Sequence, residues 1–195
     1  CARLIRITPT KVMQRVVKES ERAAQVIQRM RDFVRKGELV KKPSQLNDII
    51  HDSLDLFAYD LEHSAIQMSL AFEQDLPKVE ADRVQIAQVL INIIKNAIEA
   101  MKTEALGERQ LRITTQFDSE TKQVLVKIRN SGPALPEELV QRVFDPFVTT
   151  KDDGMGMGLS ISRTIVDAHR GRLSLCSDQV DGAVCFVMSL PALPR

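Results

Sequence analysis

Three glycines at alternate positions, Gly154, Gly156 and Gly158, stand directly before a segment with helical periodicity. A glycine has no Cβ, so the backbone here can adopt positive φ angles and approach a ligand closely. The free N–H groups at the start of the following helix attract anions. The segment from Asp145 to Ser162, DPFVTTKDDGMGMGLSIS, is therefore predicted to form a loop and a helix start that hold phosphate groups.

A second element lies upstream, where the segment NIIKNAIEAM places Asn92 and Asn96 four residues apart. Apolar residues at steps of three and four predict a helix with one buried face: Val84, Ala87, Ile91, Ile94, Ile98 and Met101. The two amides would stack one turn apart at the edge of that face, with Glu99 on the same side. Two satisfied polar residues at a core boundary are the simpler interpretation of this pair alone. Beside a glycine loop, amide oxygens on a rigid helix indicate ligands for Mg²⁺ that carries a nucleotide's phosphates.

Four motifs in this order resemble those of the sensor histidine kinases, within the wider group that also holds Hsp90, gyrase and MutL. NIIKNA resembles the asparagine box, RNSGPALP the first glycine box, VFDPFVTTK the phenylalanine box and GMGMGLSIS the second glycine box. The similarity continues through AHRGRL to DGAVCFVMSLP and so covers nearly the whole chain. The sequence around NAIEAM and TTKDDGMGMGLSISRTIVDAH is most similar to the oxygen- and nitrogen-sensing branch.

The resemblance implies a site for ATP and Mg²⁺, with Asn96 as the metal ligand and Asn92 beside the phosphates. It implies a lid over the nucleotide formed by Gly154, Gly156, Gly158 and Leu159. Two aromatic residues, Phe144 and Phe147, would anchor that lid. The same motifs add Gly132, Thr150 and Lys151 to the nucleotide contacts. No residue of the chain is assigned to catalysis itself.

The identity of Asn92 distinguishes two reactions. Within the wider group, ATP hydrolases carry a glutamate four residues before the magnesium asparagine, where it activates water. An amide cannot act as a general base. The resemblance therefore implies transfer of phosphate to a protein, and an ATP hydrolase is the less favoured interpretation.

The first glycine box departs from the family pattern at Asn130 and Ala134. The family has an aspartate at the first position, which accepts a hydrogen bond from the adenine amine, and a glycine at the second. Asn130 ends an alternating strand and so suits a ligand contact. Its carbonyl oxygen accepts the same hydrogen bond without charge assistance. A pseudokinase, a nucleotide-binding scaffold with little turnover, is therefore the main alternative to a kinase.

The N-terminal segment shows mostly heptad spacing of apolar residues, which predicts a seam between helices; these are Val12, Val16, Ala23, Val26, Met30 and Phe33. By resemblance, residues 1–40 are expected to form part of the dimerisation hairpin, with ITPT as its turn. Such a hairpin builds a homodimeric four-helix bundle. KKPSQ is expected to be a linker, with Ser44 capping a helix from Leu46 to Leu61.

The remaining residues, 44–195, are predicted to form a catalytic ATP-binding domain of the α/β class. Helices are expected near 44–62, 82–104 and 156–170. Alternating apolar residues predict strands near 66–72, 111–117, 123–129, 172–178 and 184–190. The expected architecture is a two-layer sandwich, with one mixed β-sheet covered by helices on one face.

A histidine kinase carries a phosphoacceptor histidine on the first hairpin helix, and none of the three histidines here lies in the predicted hairpin. His51, His63 and His169 are each interpreted as structural or surface residues. The acceptor helix is expected to precede Cys1, so the chain is interpreted as a fragment. The receiving partner implied by the family is the receiver domain of a response regulator.

Composition agrees with a cytoplasmic domain, with 44% hydrophobic residues, 27% charged residues and a net charge of +1. This balance carries no nucleic-acid footprint. No apolar run is long enough to span a bilayer, so membrane contact is expected only through segments outside this chain. Three cysteines without metal-ligand spacing, Cys1, Cys176 and Cys185, are predicted to be small buried hydrophobes.

Overall fold

The computed structural model describes residues 40–102, 108–151, 154–176 and 183–194. The chain divides into two units, Cys1–Leu39 and Val40–Arg195. The predicted dimerisation hairpin and its heptad seam lie outside the described residues, and so does Cys1. The second unit contains the α/β domain.

The described part of this unit contains seven strands and five helices. The strands are β1 (Lys42–Ser44), β2 (Ile66–Phe72), β3 (Val79–Ala81), β4 (Arg109–Asp118), β5 (Gln123–Asn130), β6 (Arg172–Leu175) and β7 (Val184–Pro191). The helices are α1 (Leu46–Asp55), α2 (Ala58–His63), α3 (Arg83–Lys102), α4 (Glu137–Val140) and α5 (Gly158–Ala168). The five predicted strands and the helices predicted near 82–104 and 156–170 are confirmed in type, and their ends shift by a few residues.

Five strands form one mixed sheet in the order β2-β4-β5-β7-β6. β2 and β4 run parallel, and the connection between them contains β3 and α3, since parallel neighbours need a crossover. The remaining pairs, β4 with β5, β5 with β7 and β6 with β7, are antiparallel. β1 and β3 form a separate two-stranded sheet.

The core lies between the five-stranded sheet and the helices. Alternate residues of the central strands are buried, as shown by Leu111 and Ile113 on β4 and Val124 and Val126 on β5. Helices α1, α3 and α5 bury apolar side chains in the same cluster. The predicted two-layer α/β sandwich is therefore confirmed. In the described part of the chain, no helix is long and apolar enough to cross a membrane.

Two predictions about the segment before α1 are wrong. Ser44 is the last residue of β1 rather than a helix cap, and its hydroxyl donates to the carbonyl oxygen of Lys42 at 2.9 Å. Gln45 stands at the cap position of α1 without a side-chain capping bond. The predicted linker KKPSQ contains β1 because it pairs antiparallel with β3, a contact between residues far apart in sequence.

Two details of the predicted helices also change. The helix expected over 44–62 is divided into α1 and α2, because the chain turns at Leu56 and buries Phe57 in the core. On α3, Val84 is 77% exposed, whereas Ile86 and Leu90 are completely buried. The buried face of α3 is therefore rotated from the predicted one, since this helix has more apolar residues than one face needs.

The prediction for the cysteines is wrong for one pair in the described residues. Cys176 and Cys185 are joined by a disulfide, with their Cα atoms 5.3 Å apart. Cys176 follows β6, and its N–H donates to the carbonyl of Cys185 on the neighbouring β7 at 2.8 Å. The pair is adjacent because β6 and β7 are antiparallel, which an odd cysteine count does not reveal.

His169 fixes the end of α5 to the start of α3. Its Nε2 accepts a hydrogen bond from the backbone N–H of Asp82 at 3.0 Å. Its Nδ1 lies 2.8 Å from the carbonyl oxygen of Ile165, which is an acceptor, so Nδ1 carries the proton. The ring is 3% exposed and therefore held in the neutral form with both nitrogens satisfied.

Burial lowers the pKa of the His169 imidazole below its ordinary value of 6.5. Three smaller effects act on the same pKa. The bond to Ile165 raises it, the nearby Lys41 ammonium lowers it and the Asp82 carboxylate raises it. The folded state therefore binds a proton less readily than the unfolded state. The resulting stability is fully present above pH 6.5 and is lost as the pH falls from 6.5 toward the lower folded-state pKa.

We predict that His169→Gln reduces this acid sensitivity. Urea unfolding between pH 5 and pH 8 should show a steeper loss of unfolding free energy for the original chain than for the variant. His63→Gln is the matched control because His63 is exposed on α2. Equal pH slopes for the original chain and His169→Gln would show that His169 protonates equally in the folded and unfolded states.

Candidate nucleotide site

Helix α3 supplies the first part of the candidate site. Asn92, Asn96 and Glu99 occur at intervals of four and three residues, so they lie on one side of the helix. Each is half-buried, whereas Leu90 and Ile94 on the opposite side are in the core. The predicted boundary position of the two asparagines is confirmed. Core packing on one side of α3 therefore fixes the direction of the polar side.

Asn92 connects α3 to the start of α5. Its Nδ2 donates to the hydroxyl of Ser162 at 3.0 Å, and Ser162 is 2% exposed. A Cβ on Gly158 would lie 2.5 Å from Oδ1 of Asn92, so a larger residue would have to displace the Asn92 side chain. Ser162 was missing from the sequence prediction, although it follows Gly158 by four residues and so shares its helix face.

Gly156 joins the lid to the preceding segment that contains Phe147. The N–H of Phe147 donates to the carbonyl of Gly156 at 2.9 Å, and both residues have positive φ angles, 68° and 63°. A Cβ on Gly156 would lie 2.4 Å from the carbonyl carbon of Phe147 and 2.6 Å from the nitrogen of Val148. These neighbours are backbone atoms and cannot move aside cheaply. Gly156 is therefore required both by its conformation and by the close chain crossing.

The two phenylalanines predicted to anchor the lid act differently. Phe144 packs against the core, where its ring meets that of Phe186 edge-to-face at 6.2 Å. The guanidinium of Arg163 on α5 lies 5.5 Å from the centre of the same ring. Phe147 is 73% exposed. Phe147 contacts the lid through its backbone bond to Gly156, and the anchoring role predicted for it stays a prediction.

Lys151 links the lid to α3. Its Nζ donates to Oδ1 of Asn96 at 2.9 Å and to the carboxylate of Glu99. The sequence analysis placed Glu99 on the same side of the helix as Asn96 but not among the nucleotide contacts. Its contact with Lys151 forms only when the lid folds against α3. Thr150, the neighbouring predicted contact, is exposed.

Asn130 forms a second part of the site at the end of β5. It pairs with Leu111 on one side and Val184 on the other, is 2% exposed, and faces the helix layer. Its Nδ2 is buried without a hydrogen-bond partner. Leaving such a donor unpaired costs about 1–3 kcal/mol, which an accepting ligand would offset.

Gly132 and α3 connect this second part to the first. A Cβ on Gly132 would lie 2.7 Å from Nδ2 of Asn130 and 3.2 Å from Cβ of Ala100 on α3. Asn92 and Ala100 are separated by about 12 Å along the helix axis, at 1.5 Å per residue. The predicted phosphate and base contacts thus lie along one helix, at a separation that suits a nucleotide.

Comparison with known proteins identifies the family. The model of the family described as histidine kinase-, DNA gyrase B- and HSP90-like ATPase matches residues 81–194, more than half of the chain. The chain belongs to this family. The resemblance drawn from the four motifs is thereby confirmed, and the domain is one that uses a nucleotide.

Curated relatives within the family are sensor proteins. The sensor protein FixL of Bradyrhizobium diazoefficiens is 36% identical over 180 residues, which are 92% of this chain and 35% of FixL. The C4-dicarboxylate transport sensor protein DctS of Rhodobacter capsulatus is 34% identical over 174 residues, 89% of this chain and 26% of DctS. The chain spans about a third or less of the length of these relatives.

Solved structures of the family share the fold. The nucleotide-free catalytic domain of the histidine kinase ThkA has a TM-score of 0.68 and 35% identity, covering 78% of this chain and 95% of that domain. ThkA in complex with the response regulator protein TrrA has a TM-score of 0.72 and 31% identity, covering 97% of this chain and 53% of ThkA.

We predict that Gly156→Ala opens the lid without unfolding the domain. The new methyl group would clash with Phe147 and Val148, and the left-handed conformation itself costs about 1–2 kcal/mol for an L-residue. Calorimetric titration with ATP should therefore show weaker binding, while the thermal midpoint without nucleotide changes little.

Gly154→Ala is the matched control for this substitution. Its Cβ would meet the Thr149 hydroxyl at 2.4 Å and the Cβ of Lys151 at 2.9 Å, which are side-chain atoms. We expect a smaller loss of affinity than for Gly156→Ala. An equal or larger loss for Gly154→Ala would contradict the structural role given to Gly156.

Proposed function

We propose that this chain contains the catalytic ATP-binding region of a sensor histidine kinase. It transfers the γ-phosphoryl group of ATP to a histidine outside this chain, from which an aspartate of a response regulator receives it. The observation that supports this proposal is that Asn92, Asn96 and the glycine lid meet on one side of α3. A phosphate group bound there would meet amide side chains, the lid lysine and the start of α5.

The donor set around Asn96 fits a hard cation. Asn96 Oδ1 and the Glu99 carboxylate already share one positive group, the Lys151 ammonium. Within the described residues, no group of three His, Cys, Asp or Glu residues could hold a metal without a ligand's help. A site with one or two protein oxygens suits Mg²⁺, which takes its other ligands from phosphates and water. Bound Mg²⁺ would supply neutralisation of charge on the phosphates, with Asn96 as its ligand.

The site favours transfer over hydrolysis. Asn92 is an amide, and its Nδ2 is engaged by Ser162, so it positions groups rather than removing a proton from water. Phosphoryl transfer depends mainly on positioning and electrostatic stabilisation. The residues assigned to these tasks are Asn92, Asn96, Asn130, Gly132, Phe147, Thr150, Lys151, Gly154, Gly156, Gly158 and Leu159.

The partners follow from the family. ThkA has been solved with the response regulator protein TrrA, which supports a receiver domain as the partner of this chain. We assign homodimerisation to residues 1–40 on the basis of their heptad pattern, and the ATP-binding domain to residues 44–195. We assign the domain to the cytoplasm, where ATP and response regulators occur.

Radiolabelled ATP tests the proposed transfer. The chain, which has no histidine in residues 1–40, should not label itself but should label an added histidine-bearing dimerisation hairpin. Asn96→Ala should abolish the transfer because it removes the metal-ligating oxygen. Its thermal midpoint without nucleotide should not change, since Asn96 lies off the buried face of α3.

Acid-labile, base-stable label identifies phosphohistidine on the hairpin. Tight binding of ATP without any transfer would favour the pseudokinase alternative. Release of inorganic phosphate without labelled hairpin would favour an ATP hydrolase. Equal transfer by Asn96→Ala would show that Asn96 is a boundary residue only.

A second experiment concerns the base. A carboxylate accepts strongly from the amine of adenine and repels the carbonyl oxygen of guanine, whereas the Asn130 amide accepts more weakly and also donates. The unpaired Nδ2 of Asn130 supplies such a donor. We predict modest ATP affinity and weak discrimination against GTP, with loss of charge assistance costing about 1 kcal/mol, or several-fold in affinity.

Asn130→Asp should tighten ATP binding and weaken GTP binding. Calorimetric titration of both proteins with both nucleotides measures the two effects. If affinity and selectivity are the same in both proteins, Asn130 does not contact the base and the base pocket lies elsewhere.

A further inference from the structure

Asn96 and Glu99 direct oxygen atoms to one cation, the ammonium group of Lys151. Lys151 Nζ is 2.9 Å from Oδ1 of Asn96, and it also donates to Oε2 of Glu99. The asparagine and the glutamate are on α3, whereas the lysine belongs to the lid. A charged contact therefore ties the lid to the helix that carries the proposed metal ligand.

The position of Lys151 is set by a tight turn of the lid. Its N–H donates to the hydroxyl of Thr149 at 3.1 Å, and its carbonyl accepts from the N–H of Gly154 at 3.0 Å. A Cβ on Gly154 would come within 2.9 Å of Cβ of Lys151, so the two residues lie close together. These two bonds hold the backbone of Lys151, and its Nζ is held by Asn96 and Glu99.

Glu99 divides its two oxygens between two lysines. Oε1 lies 3.9 Å from Nζ of Lys95, one turn away on α3, while Oε2 accepts from Lys151. The side chain of Lys95 is 61% exposed and its ion pair is the longer of the two. Lys95 therefore contributes positive charge near Glu99 but occupies a different oxygen.

We propose that the oxygens of Asn96 and Glu99 form one cation-binding site, which Lys151 and Mg²⁺ occupy in turn. Glu99 is then a second oxygen of the metal site, beside Asn96. This inference rests on the proposed ATP site. Both oxygens are hard donors suited to Mg²⁺. The two cations exclude each other, because their like charges would repel at this distance.

Two consequences follow for the lid. Lys151 compensates the charge of Glu99 while the nucleotide is absent and keeps the lid against α3. When Mg²⁺ displaces Lys151, the ammonium group is released from Glu99 next to the negative phosphates. The contact thus sets the Mg²⁺ concentration that nucleotide binding requires, since the metal must compete with an ammonium group already in place.

The test measures how much Mg²⁺ the chain needs to bind a nucleotide. Calorimetric titrations with the non-hydrolysable analogue AMPPNP, repeated over a series of Mg²⁺ concentrations, give the half-saturating Mg²⁺ concentration. Glu99→Gln keeps the shape of the side chain but removes its charge and should raise this concentration several-fold. Lys151→Met removes the competitor and should lower it several-fold. Lys95→Met, the matched control, should stay within twofold of the original chain.

Asn96→Ala separates this inference from the proposed function. One outcome is that Asn96→Ala raises the Mg²⁺ requirement while Glu99→Gln and Lys151→Met leave it within twofold. That result supports the ATP site and overturns the shared cation-binding site. A higher Mg²⁺ requirement for Lys151→Met also overturns it. If Asn96→Ala has no effect, the metal site itself is wrong. Changes of opposite sign in the half-saturating Mg²⁺ concentration for Glu99→Gln and Lys151→Met, with a smaller change for Lys95→Met, support the shared cation-binding site.

Discussion

The close contact between α3 and α5 is the constraint on which the site depends. Asn92 donates to Ser162 across this contact, and a Cβ at Gly158 would displace the Asn92 side chain. The contact fixes the start of α5, which follows the lid directly, beside the polar side of α3. Because α3 is held by its buried apolar residues, the core determines where the lid ends.

A site of this composition carries little fixed charge. Its contacts are amides, glycines and one pair of charged side chains, Glu99 and Lys151. Such a site leaves most of the charge compensation to ligands, which suits phosphoryl transfer by positioning more than acid–base chemistry. Asn130 follows the same pattern, because an uncharged amide stands where the family carries a carboxylate. We therefore expect this chain to bind the base less selectively than its Asn130→Asp variant.

Local patterns in the sequence predicted most of the fold. Alternating apolar residues located the five strands of the main sheet, and the period of α3 located the helix, though not its buried face, since Val84 is exposed. Contacts between distant residues were not predictable in this way. The pairing of β1 with β3 converts a presumed linker into a strand, and Glu99 joins the site only when Lys151 folds onto it. Motif spacing identified the site residues, but only the fold shows that Phe147 is held by its backbone.

A crystal structure of the chain with AMPPNP and Mn²⁺ tests the assignment of the Mg²⁺ and ATP site. Anomalous scattering locates Mn²⁺, which takes the same oxygen ligands as Mg²⁺. We predict a metal peak bonded to Oδ1 of Asn96, phosphates beneath Gly156 and Gly158, and the purine ring at Asn130. A metal peak away from Asn96, or a purine that leaves Asn130 uncontacted, would contradict the assignment of this site.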